Sequence, residues 1–209
     1  MAPADQRRHA PATARNRAPL LAVLQQALPD HGTVLEIAAG TGEHAAHCLP
    51  QLPGLCWLAT DVAADNLASI DAWRADCADP RWLAPLALDV TAAVWPVETV
   101  PPKPPISAML CVNMIHIAPW TAAAGLFAGA GRVLPPGAPL LLYGPFKRQG
   151  VHSAPSNADF DGWLKAQDPS YGVRDLEDEV VPCANRHGLT LADVTPMPAN
   201  NFTLRFTRQ

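Results

Sequence analysis

Several features are missing from this chain of 209 residues, and each absence narrows its possible functions. No unbroken apolar run reaches the roughly 18 residues of a membrane-spanning helix, so we expect no membrane contact. Basic residues are not in excess, since 15 Lys and Arg stand against 19 Asp and Glu. The resulting net charge of −4 argues against nucleic acid as a partner, because phosphate binding needs a basic face.

Paired metal-binding or disulfide-forming cysteines are also missing. The five cysteines form no CxxC pair and fall inside apolar patterns. Buried free thiols in a reducing cytosol explain this better than disulfides or zinc, and we expect a cytoplasmic protein. His44 and His47 lie one helical turn apart, but they do not form HExxH and no third ligand is evident, so we expect no metal site.

The first nineteen residues contain four arginines and a single acid, which is typical of a transit peptide. However, Pro3, Pro11 and Pro19 interrupt any amphipathic helix there. We therefore predict a flexible arm over residues 1–14, with a first helix from residue 18. The length of the chain suits one continuous core, so residues 15–209 are expected to form a single domain.

From residue 18 onward, predicted helices alternate with short apolar strands. The strands are expected at Thr33–Ala38, Leu55–Thr60, Leu86–Leu88, Ile106–Val112, Leu140–Tyr143, Leu189–Val194 and Phe202–Thr207. The first five are nearly wholly apolar and separated by helices, which indicates a parallel sheet covered on both faces. The last two are joined by a short link that permits only antiparallel pairing. The pattern predicts a Rossmann-like α/β fold that ends in a hairpin.

The stretch from Val34 to Gly42 predicts a buried strand that runs into a loop of small residues. Only small side chains let a ligand lie against the backbone amides of such a loop. Asp61 and Asp89 stand at the ends of the next two strands. Together these positions predict a cradle for an adenosine-containing cofactor.

Two cofactors compete for this cradle. Residues 40–45 match the dinucleotide fingerprint G-x-G-x-x-G/A, with Asp61 as the acid that follows, so a nicotinamide oxidoreductase is one alternative. Three features count against it: a full helix precedes the motif, the chain lacks the length for a second catalytic domain, and the terminal hairpin breaks the doubly wound symmetry.

S-adenosylmethionine suits the acids better. Asp61 can accept both ribose hydroxyls because a carboxylate has two oxygens, and Asp89 can accept a hydrogen bond from the adenine amino group. Glu36 suits the positive end of the cofactor and can also fix the loop by accepting amide hydrogen bonds. For Asp61 and Asp89 taken singly, helix capping is the alternative.

The chain resembles class I S-adenosylmethionine-dependent methyltransferases, and specifically the methyltransferase-like 26 group. The matching stretches extend over nearly the whole chain after residue 13: Arg15–Arg17, Val34–Ala45, Thr60–Val62, Leu88–Val90, Leu110–His116 with Pro119, Tyr143–Pro145, Pro155–Asn157 with Phe160 and Asp161, Gly172–Asp175, and Met197–Asn201. The chain departs from the methyltransferase pattern at Ala38, where glycine is favoured, and at Pro105–Ser107, which lacks an acid.

The resemblance implies a seven-stranded, mostly parallel sheet with a reversed last strand. It also implies S-adenosylmethionine as cofactor and S-adenosylhomocysteine as product. The expected cofactor-binding residues are Arg15, Asn16, Glu36, Ala38, Gly40, Gly42, Asp61, Asp89, Val90 and Asn113. Arg15 and Asn16 are expected to fold over the cofactor from a position just before the first helix.

The expected reaction moves a methyl group to oxygen, nitrogen or sulfur of a small molecule by in-line displacement. His116 stands at a strand end and is either the base that takes the acceptor's proton or a residue that shapes the pocket. The expected acceptor-binding residues are Tyr143, Lys147, His152, Asn157 and Asn200. A non-catalytic protein that binds the cofactor is the alternative, and the oligomeric state and the acceptor stay open.

Overall fold

The computed structural model describes residues 5–209, and within them the chain forms nine strands. These are β1 (Gly32–Ile37), β2 (Leu55–Asp61), β3 (Leu86–Ala87), β4 (Ile106–Val112), β5 (Pro139–Gly144), β6 (Lys147–Arg148), β7 (Val151–His152), β8 (Leu189–Met197) and β9 (Asn201–Arg208). All seven predicted strands are confirmed to within three residues at each end. The segment after β5 contains the short β6–β7 hairpin.

The helices between the strands vary in length. The α-helices are α1 (Pro11–Ala27), α2 (Glu43–Cys48), α3 (Ala64–Cys77), α4 (Pro96–Thr99), α5 (Trp120–Val133), α6 (Pro155–Gln167) and α7 (Val181–Arg186). Single 3-10 turns follow α2, β4 and β8, and a π-helical turn over Leu176–Val180 precedes α7. No helix among residues 5–209 is both long and apolar enough to cross a bilayer.

The main sheet has seven strands in the order β3-β2-β1-β4-β5-β9-β8. Strands β1 to β5 are parallel, whereas β9 runs antiparallel to both β5 and β8. The α/β fold with a C-terminal antiparallel hairpin is therefore confirmed. The chain reverses direction across the sheet between β1 and β4, and in open α/β sheets ligands bind outside the carboxyl ends of the strands at such a point.

Each face of the sheet packs against its own layer of helices. On one face, α5 and α7 cover Leu35, Ile37 and Met109. On the other face, α1, α2 and α3 cover Val34, Trp57 and Leu110. Because side chains alternate along a strand, consecutive β1 residues supply both cores, which explains the unbroken apolar character of this strand.

The first helix begins at Pro11 rather than at residue 18, so the prediction from the prolines was wrong for this segment. Pro11 occupies the first turn, where its missing N–H costs nothing, and Pro19 is accommodated inside the helix. The boundary predicted at residue 15 therefore falls within α1, and Arg15 and Asn16 lie inside this helix instead of before it. Residues 1–4 of the predicted arm lie outside the described residues.

Candidate functional site

Two cavities open at the carboxyl edge of the sheet. The first, which we call the Asp89 cavity, has a volume of about 350 Å³. It is lined by Ile37, Ala38, Val62, Leu88, Asp89, Val90, Thr91, Met114, Ala118, Pro119, Thr121 and Ala122. Three residues predicted to bind the cofactor, Ala38, Asp89 and Val90, are thus brought together. Val62 also lines this cavity, and 69% of its surface is exposed. A flat ligand would cover this apolar surface.

The glycine loop between β1 and α2 is fixed by Asp61. One carboxylate oxygen of Asp61 accepts a 2.9 Å hydrogen bond from the Gly40 amide, and the other accepts one of 3.0 Å from the Ala63 amide. Gly40 has φ of +58° and open space where a side chain would begin, whereas the Gly42 position closely faces the backbone of Ile70. Asp61 is buried beneath the loop, and it retains unused lone pairs for a further ligand.

Ala38 begins this loop with φ of +53°, in the left-handed region where glycine is favoured. The departure from glycine that the sequence shows at this position has a conformational cost, because a residue with a Cβ is less stable than glycine at this φ. This position is therefore a strained element at the wall of the Asp89 cavity.

Glu36 does not contact the loop amides, so that part of the prediction was wrong. Its carboxylate is enclosed between β2 and α2, and one oxygen accepts a 2.8 Å hydrogen bond from the Trp57 indole. The other oxygen has no hydrogen-bond partner among the described residues and lies 3.7 Å from Nδ1 of His44. Burial raises the pKa of Glu36 to about 8, so the carboxyl group is mostly protonated at neutral pH.

A chain of buried polar groups leads from Glu36 toward the site. The other ring nitrogen of His44, Nε2, lies 2.9 Å from the Asn16 side-chain oxygen, and burial lowers the pKa of His44 to about 4. A neutral His44 donates from Nε2 to Asn16, whereas the 3.7 Å between Nδ1 and the Glu36 oxygen is too long for a hydrogen bond. Asn16 in turn interacts with Tyr143. Burial raises the pKa of Tyr143, and the hydrogen bonds with Asn16 and Asn201 lower it by a smaller amount.

Asn16 and Tyr143 belong to the wall of the second cavity, which we call the Arg15 cavity. Its volume is about 440 Å³. It is lined by Ala12, Arg15, Asn16, Asn113, Ile117, Tyr143, Pro145, Ser156, Asn157, Phe160, Pro198, Ala199 and Asn201. The predicted cofactor residues Arg15, Asn16 and Asn113 lie here, apart from the Asp89 cavity. Asn113 and Met114 are consecutive, and each lines one of the two cavities.

His116 is enclosed behind this wall and lines neither cavity. Its Nδ1 accepts a 3.3 Å hydrogen bond from the Arg174 amide, so the ring proton is assigned to Nε2. Nε2 has no partner among the described residues and lies near Gly144, where a Cβ would approach it to 2.6 Å. Burial lowers the pKa of His116 to about 3. A neutral ring with its lone pair occupied favours the pocket-shaping alternative over a proton acceptor.

Arg174 holds the segment after β4 in place, and sequence analysis did not single it out. Its guanidinium donates to the carbonyl oxygens of Ile115, Ala118 and Ser170 at 2.8–2.9 Å and stacks over Trp120. Ser170 is a local partner, but Ile115 and Ala118 are far from Arg174 in the sequence, so no local signal could reveal those two contacts. Arg174 thus supports both His116, through its amide, and the wall shared by the two cavities.

The predicted acceptor residues divide into two groups. Tyr143 and Asn157 line the Arg15 cavity, and the Asn157 side chain donates to Ser153 Oγ and to the Asn200 carbonyl. Asn200 itself does not line the cavity, although both of its neighbours do. Lys147 and His152 lie elsewhere, on the β6–β7 hairpin.

The charges on that hairpin are directed toward acidic side chains. His152 Nε2 lies 3.4 Å from an Asp161 carboxylate oxygen, and the charge of Lys147 helps to lower the pKa values of Asp161 and Asp175, against the effect of burial. Neither basic residue lines a cavity. The hairpin is therefore tied to α6 and to the segment before α7.

Glu43, the first residue of α2, ties the segment before α1 to the glycine loop. Its carboxylate accepts hydrogen bonds from the Ala10 amide, from the Thr41 hydroxyl and from the His9 ring. The Arg8 amide donates to Ser69 Oγ, which donates in turn to the Thr41 carbonyl. The described part of the N-terminal segment therefore packs beside the loop.

The Asp89 cavity and the adjoining loop have the hydrogen-bond acceptors that an adenosine group requires. Asp89 uses one oxygen to accept from the Thr91 amide and hydroxyl, which leaves its second oxygen for an exocyclic amine. Val62, Val90 and Met114 supply apolar walls for a ring. The glycine loop lies above buried Asp61, whose remaining lone pairs suit ribose hydroxyls. These residues fit S-adenosylmethionine.

Solved structures with a similar fold include methyltransferases. CalO1, a methyltransferase in calicheamicin biosynthesis solved in its S-adenosylhomocysteine-bound form, is 20% identical with a TM-score of 0.71 over 93% of this chain. The mitomycin 7-O-methyltransferase MmcR is 16% identical with a TM-score of 0.76 over 95% of this chain. TnmH is 21% identical with a TM-score of 0.74 over 95% of this chain.

At these identities the likeness establishes the fold, which is that of class I methyltransferases. The chain spans about half the length of these structures, since the matches cover 54–55% of their chains. The finer resemblance to the methyltransferase-like 26 group stays a prediction. A family model described as "protein of unknown function (DUF938)" matches residues 7–208, and the chain therefore belongs to this family.

Proposed function

We propose that this protein is an S-adenosylmethionine-dependent methyltransferase that acts on a small molecule. The observation that carries the proposal is the pairing of two cavities at one sheet edge. The Asp89 cavity offers a hydrogen-bond acceptor and apolar walls for an adenosine group, and the Arg15 cavity beside it offers space for a methyl acceptor. A cytoplasmic location is part of the proposal, because all five cysteines are free thiols.

The Asp89 cavity and the glycine loop would bind the cofactor. Asp61 holds the loop through the Gly40 amide and would accept ribose hydroxyls with its remaining lone pairs. Asp89 would accept from the adenine amine, and Ala38 and Val90 would contact its ring. When bound, S-adenosylmethionine supplies an electrophilic methyl group on a positively charged sulfur.

The Arg15 cavity would orient the acceptor. Asn113 lies at the boundary of the two cavities, where an acceptor atom must meet the methyl carbon. Holding two reactants in line supplies most of the acceleration that a displacement of this type needs. His116 would shape this boundary from behind by packing against Phe146 and Gly144, and the acceptor would lose its proton to solvent or arrive deprotonated.

Calorimetric titration of the purified protein tests the cofactor assignment. We expect S-adenosylmethionine and S-adenosylhomocysteine to bind and NAD to give no heat above dilution. Asp89→Ala should weaken both adenosyl ligands, whereas Asp65→Ala, an exposed acid in the first turn of α3, should not. Binding of NAD in preference to S-adenosylhomocysteine would overturn the assignment.

Catalysis needs a separate test, because binding alone is also expected of a non-catalytic protein. Incubation with radiolabelled S-adenosylmethionine and a metabolite extract should give a labelled small molecule. That label should be lost in Asn113→Ala, whose folding is checked by its retained S-adenosylhomocysteine affinity. Cofactor binding without label transfer from any extract would favour the non-catalytic alternative.

A further inference from the structure

We infer that the acceptor of this methyltransferase is a small anionic molecule whose carboxylate or phosphate group binds Arg15. The inference rests on the proposed function and names the chemical class of its substrate. The sequence placed the acceptor's cationic contact at Lys147 and assigned Arg15 to the cofactor. The structure gives reasons to exchange these two roles.

The formal charge on the lining of the Arg15 cavity is positive. Of the residues that line it, Arg15 is the one with a formal charge, and the other polar residues are neutral amides and hydroxyls. Its positive charge acts on the Tyr143 hydroxyl, which lies in the same wall. A cavity with a cation and without a carboxylate favours an anionic guest, because a cationic guest would meet only repulsion.

Arg15 is available for this role because it is uncommitted. Six other basic side chains form ion pairs with carboxylates: Arg7, Arg74, Arg81, Arg132, Arg148 and Lys165. The Arg174 guanidinium is occupied by three carbonyl oxygens. Within residues 5–209, the Arg15 side chain forms no hydrogen bond or ion pair. Its planar fork therefore stays open to a bidentate contact with an oxyanion.

The rest of the cavity suits an apolar body attached to the anion. Ile117, Pro145, Phe160 and Pro198 form apolar parts of the wall. The Phe160 ring is stacked at 5.9 Å on Trp163, whose surface is 57% exposed. A volume of about 440 Å³ lies in the range of small-molecule sites and accommodates a molecule of one or two rings.

The carboxylate of the cofactor itself is the competing partner for Arg15. Against it, no residue of the glycine loop and no residue of the Asp89 cavity lines the Arg15 cavity. The two possibilities make opposite predictions for cofactor affinity, so one set of variants separates them. Arg15→Gln removes the charge, Arg15→Lys keeps the charge without the fork, and Arg17→Gln removes a charge from the same helix outside the cavity.

The experiment measures binding of benzoate, phenyl phosphate and neutral benzamide by ligand-observed NMR, with S-adenosylhomocysteine at saturation. We expect the wild-type protein to bind at least one anion about fivefold more tightly than benzamide, the range of one partly exposed charged contact. The two anions distinguish a carboxylate acceptor from a phosphate acceptor. Arg15→Gln should abolish the preference, Arg15→Lys should retain part of it, and Arg17→Gln should leave it intact.

Calorimetry on the same variants completes the test. We expect S-adenosylhomocysteine to bind equally to wild type and Arg15→Gln. A loss confined to S-adenosylhomocysteine, with the affinity of 5′-methylthioadenosine unchanged, would place Arg15 on the cofactor carboxylate and overturn the inference. Equal binding of benzoate, phenyl phosphate and benzamide would also overturn it while leaving the proposed function intact. Absence of S-adenosylhomocysteine binding to wild type would contradict the proposed function instead.

Discussion

The two cavities at the sheet edge differ in how the chain builds them. The Asp89 cavity is formed by residues at or just beyond the ends of β1, β2, β3 and β4, together with the start of α5. The Arg15 cavity draws on α1, α6 and the β8–β9 connection, together with residues at or just beyond the ends of β4 and β5. The first holds a carboxylate and the second a guanidinium. Under the proposed function, the strand ends would form the cofactor side, whereas elements from distant parts of the chain would complete the acceptor side.

The same contrast extends to the polar groups beneath each cavity. Asp61 contacts the glycine loop directly through the Gly40 amide and accepts a second hydrogen bond from the Ala63 amide after β2. Glu36 is connected to the Arg15 cavity only through His44 and Asn16. Substitution of Asp61 should therefore change cofactor affinity, whereas substitution of Glu36 should change stability.

The largest effect is expected for Asp61→Ala. This change removes the acceptor of the Gly40 and Ala63 amides together with the proposed ribose contacts. We expect S-adenosylmethionine binding to weaken by about 2–4 kcal/mol, given roughly 1–3 kcal/mol for each charged hydrogen bond. Calorimetry on protein with a native circular dichroism spectrum measures it, with Asp65→Ala as control. Unchanged affinity in the folded variant would remove Asp61 from the cofactor site.

Glu36→Gln should change stability without changing cofactor affinity. The pKa of Glu36 is about 8 in the folded protein and near 4.5 in the unfolded chain, so the folded state alone holds the proton between these values. Wild-type stability from this group is therefore fully present below pH 4.5 and is lost as pH rises to 8. Glutamine can still accept from the Trp57 indole, and it has no proton to lose.

We expect Glu36→Gln to be more stable than wild type by a few kcal/mol at pH 8, since each unit between the two pKa values is worth roughly 1.4 kcal/mol, with the difference vanishing near pH 4.5. Urea unfolding at both pH values measures this difference. A variant that is less stable at pH 8 would contradict the pKa argument. Reduced S-adenosylmethionine affinity would instead restore Glu36 as a direct cofactor ligand.

His116 should stay neutral across the physiological range. Burial lowers its pKa to about 3, and the Arg174 amide occupies Nδ1. We expect its ring resonances to show no titration between pH 5 and 8, with His116→Gln used to assign the signal. A titration near neutrality, or a large loss of methyl transfer in a folded His116→Gln protein with unchanged cofactor affinity, would return His116 to the role of base.

The smallest effect is expected for Ala38→Gly. Relief of the left-handed conformation is worth roughly 1–2 kcal/mol, and the added freedom of glycine in the unfolded chain offsets roughly 0.5–1 kcal/mol of it. The variant should therefore be more stable by up to about 1 kcal/mol in urea unfolding. Ala39→Gly, at the next residue where φ is negative, should be less stable and serves as the control.

The fold was predictable because its signals are local. Val34, Leu35 and Ile37 read as a buried strand, and the short link before Phe202 permitted only a hairpin. The glycine loop and Asp61 were likewise predicted to lie together, since parallel strands end at one edge. Predictions that depended on distant partners were less secure: Lys147 and His152 face Asp161, not the cavity, and the start of α1 was misplaced.

The sequence by itself determined three features. These are the order of the apolar strand segments along the chain, the loop of small residues, and the acids that follow two of the strands. These features follow from side-chain alternation, loop sterics and the common edge of parallel strands. Tertiary structure alone decided that Arg15 lines a cavity without an ion-pair partner among residues 5–209, that Glu36 is buried against Trp57, and that His116 is enclosed behind Arg174. Charge pairing and burial depend on neighbours far apart in the chain, and only packing brings those neighbours together.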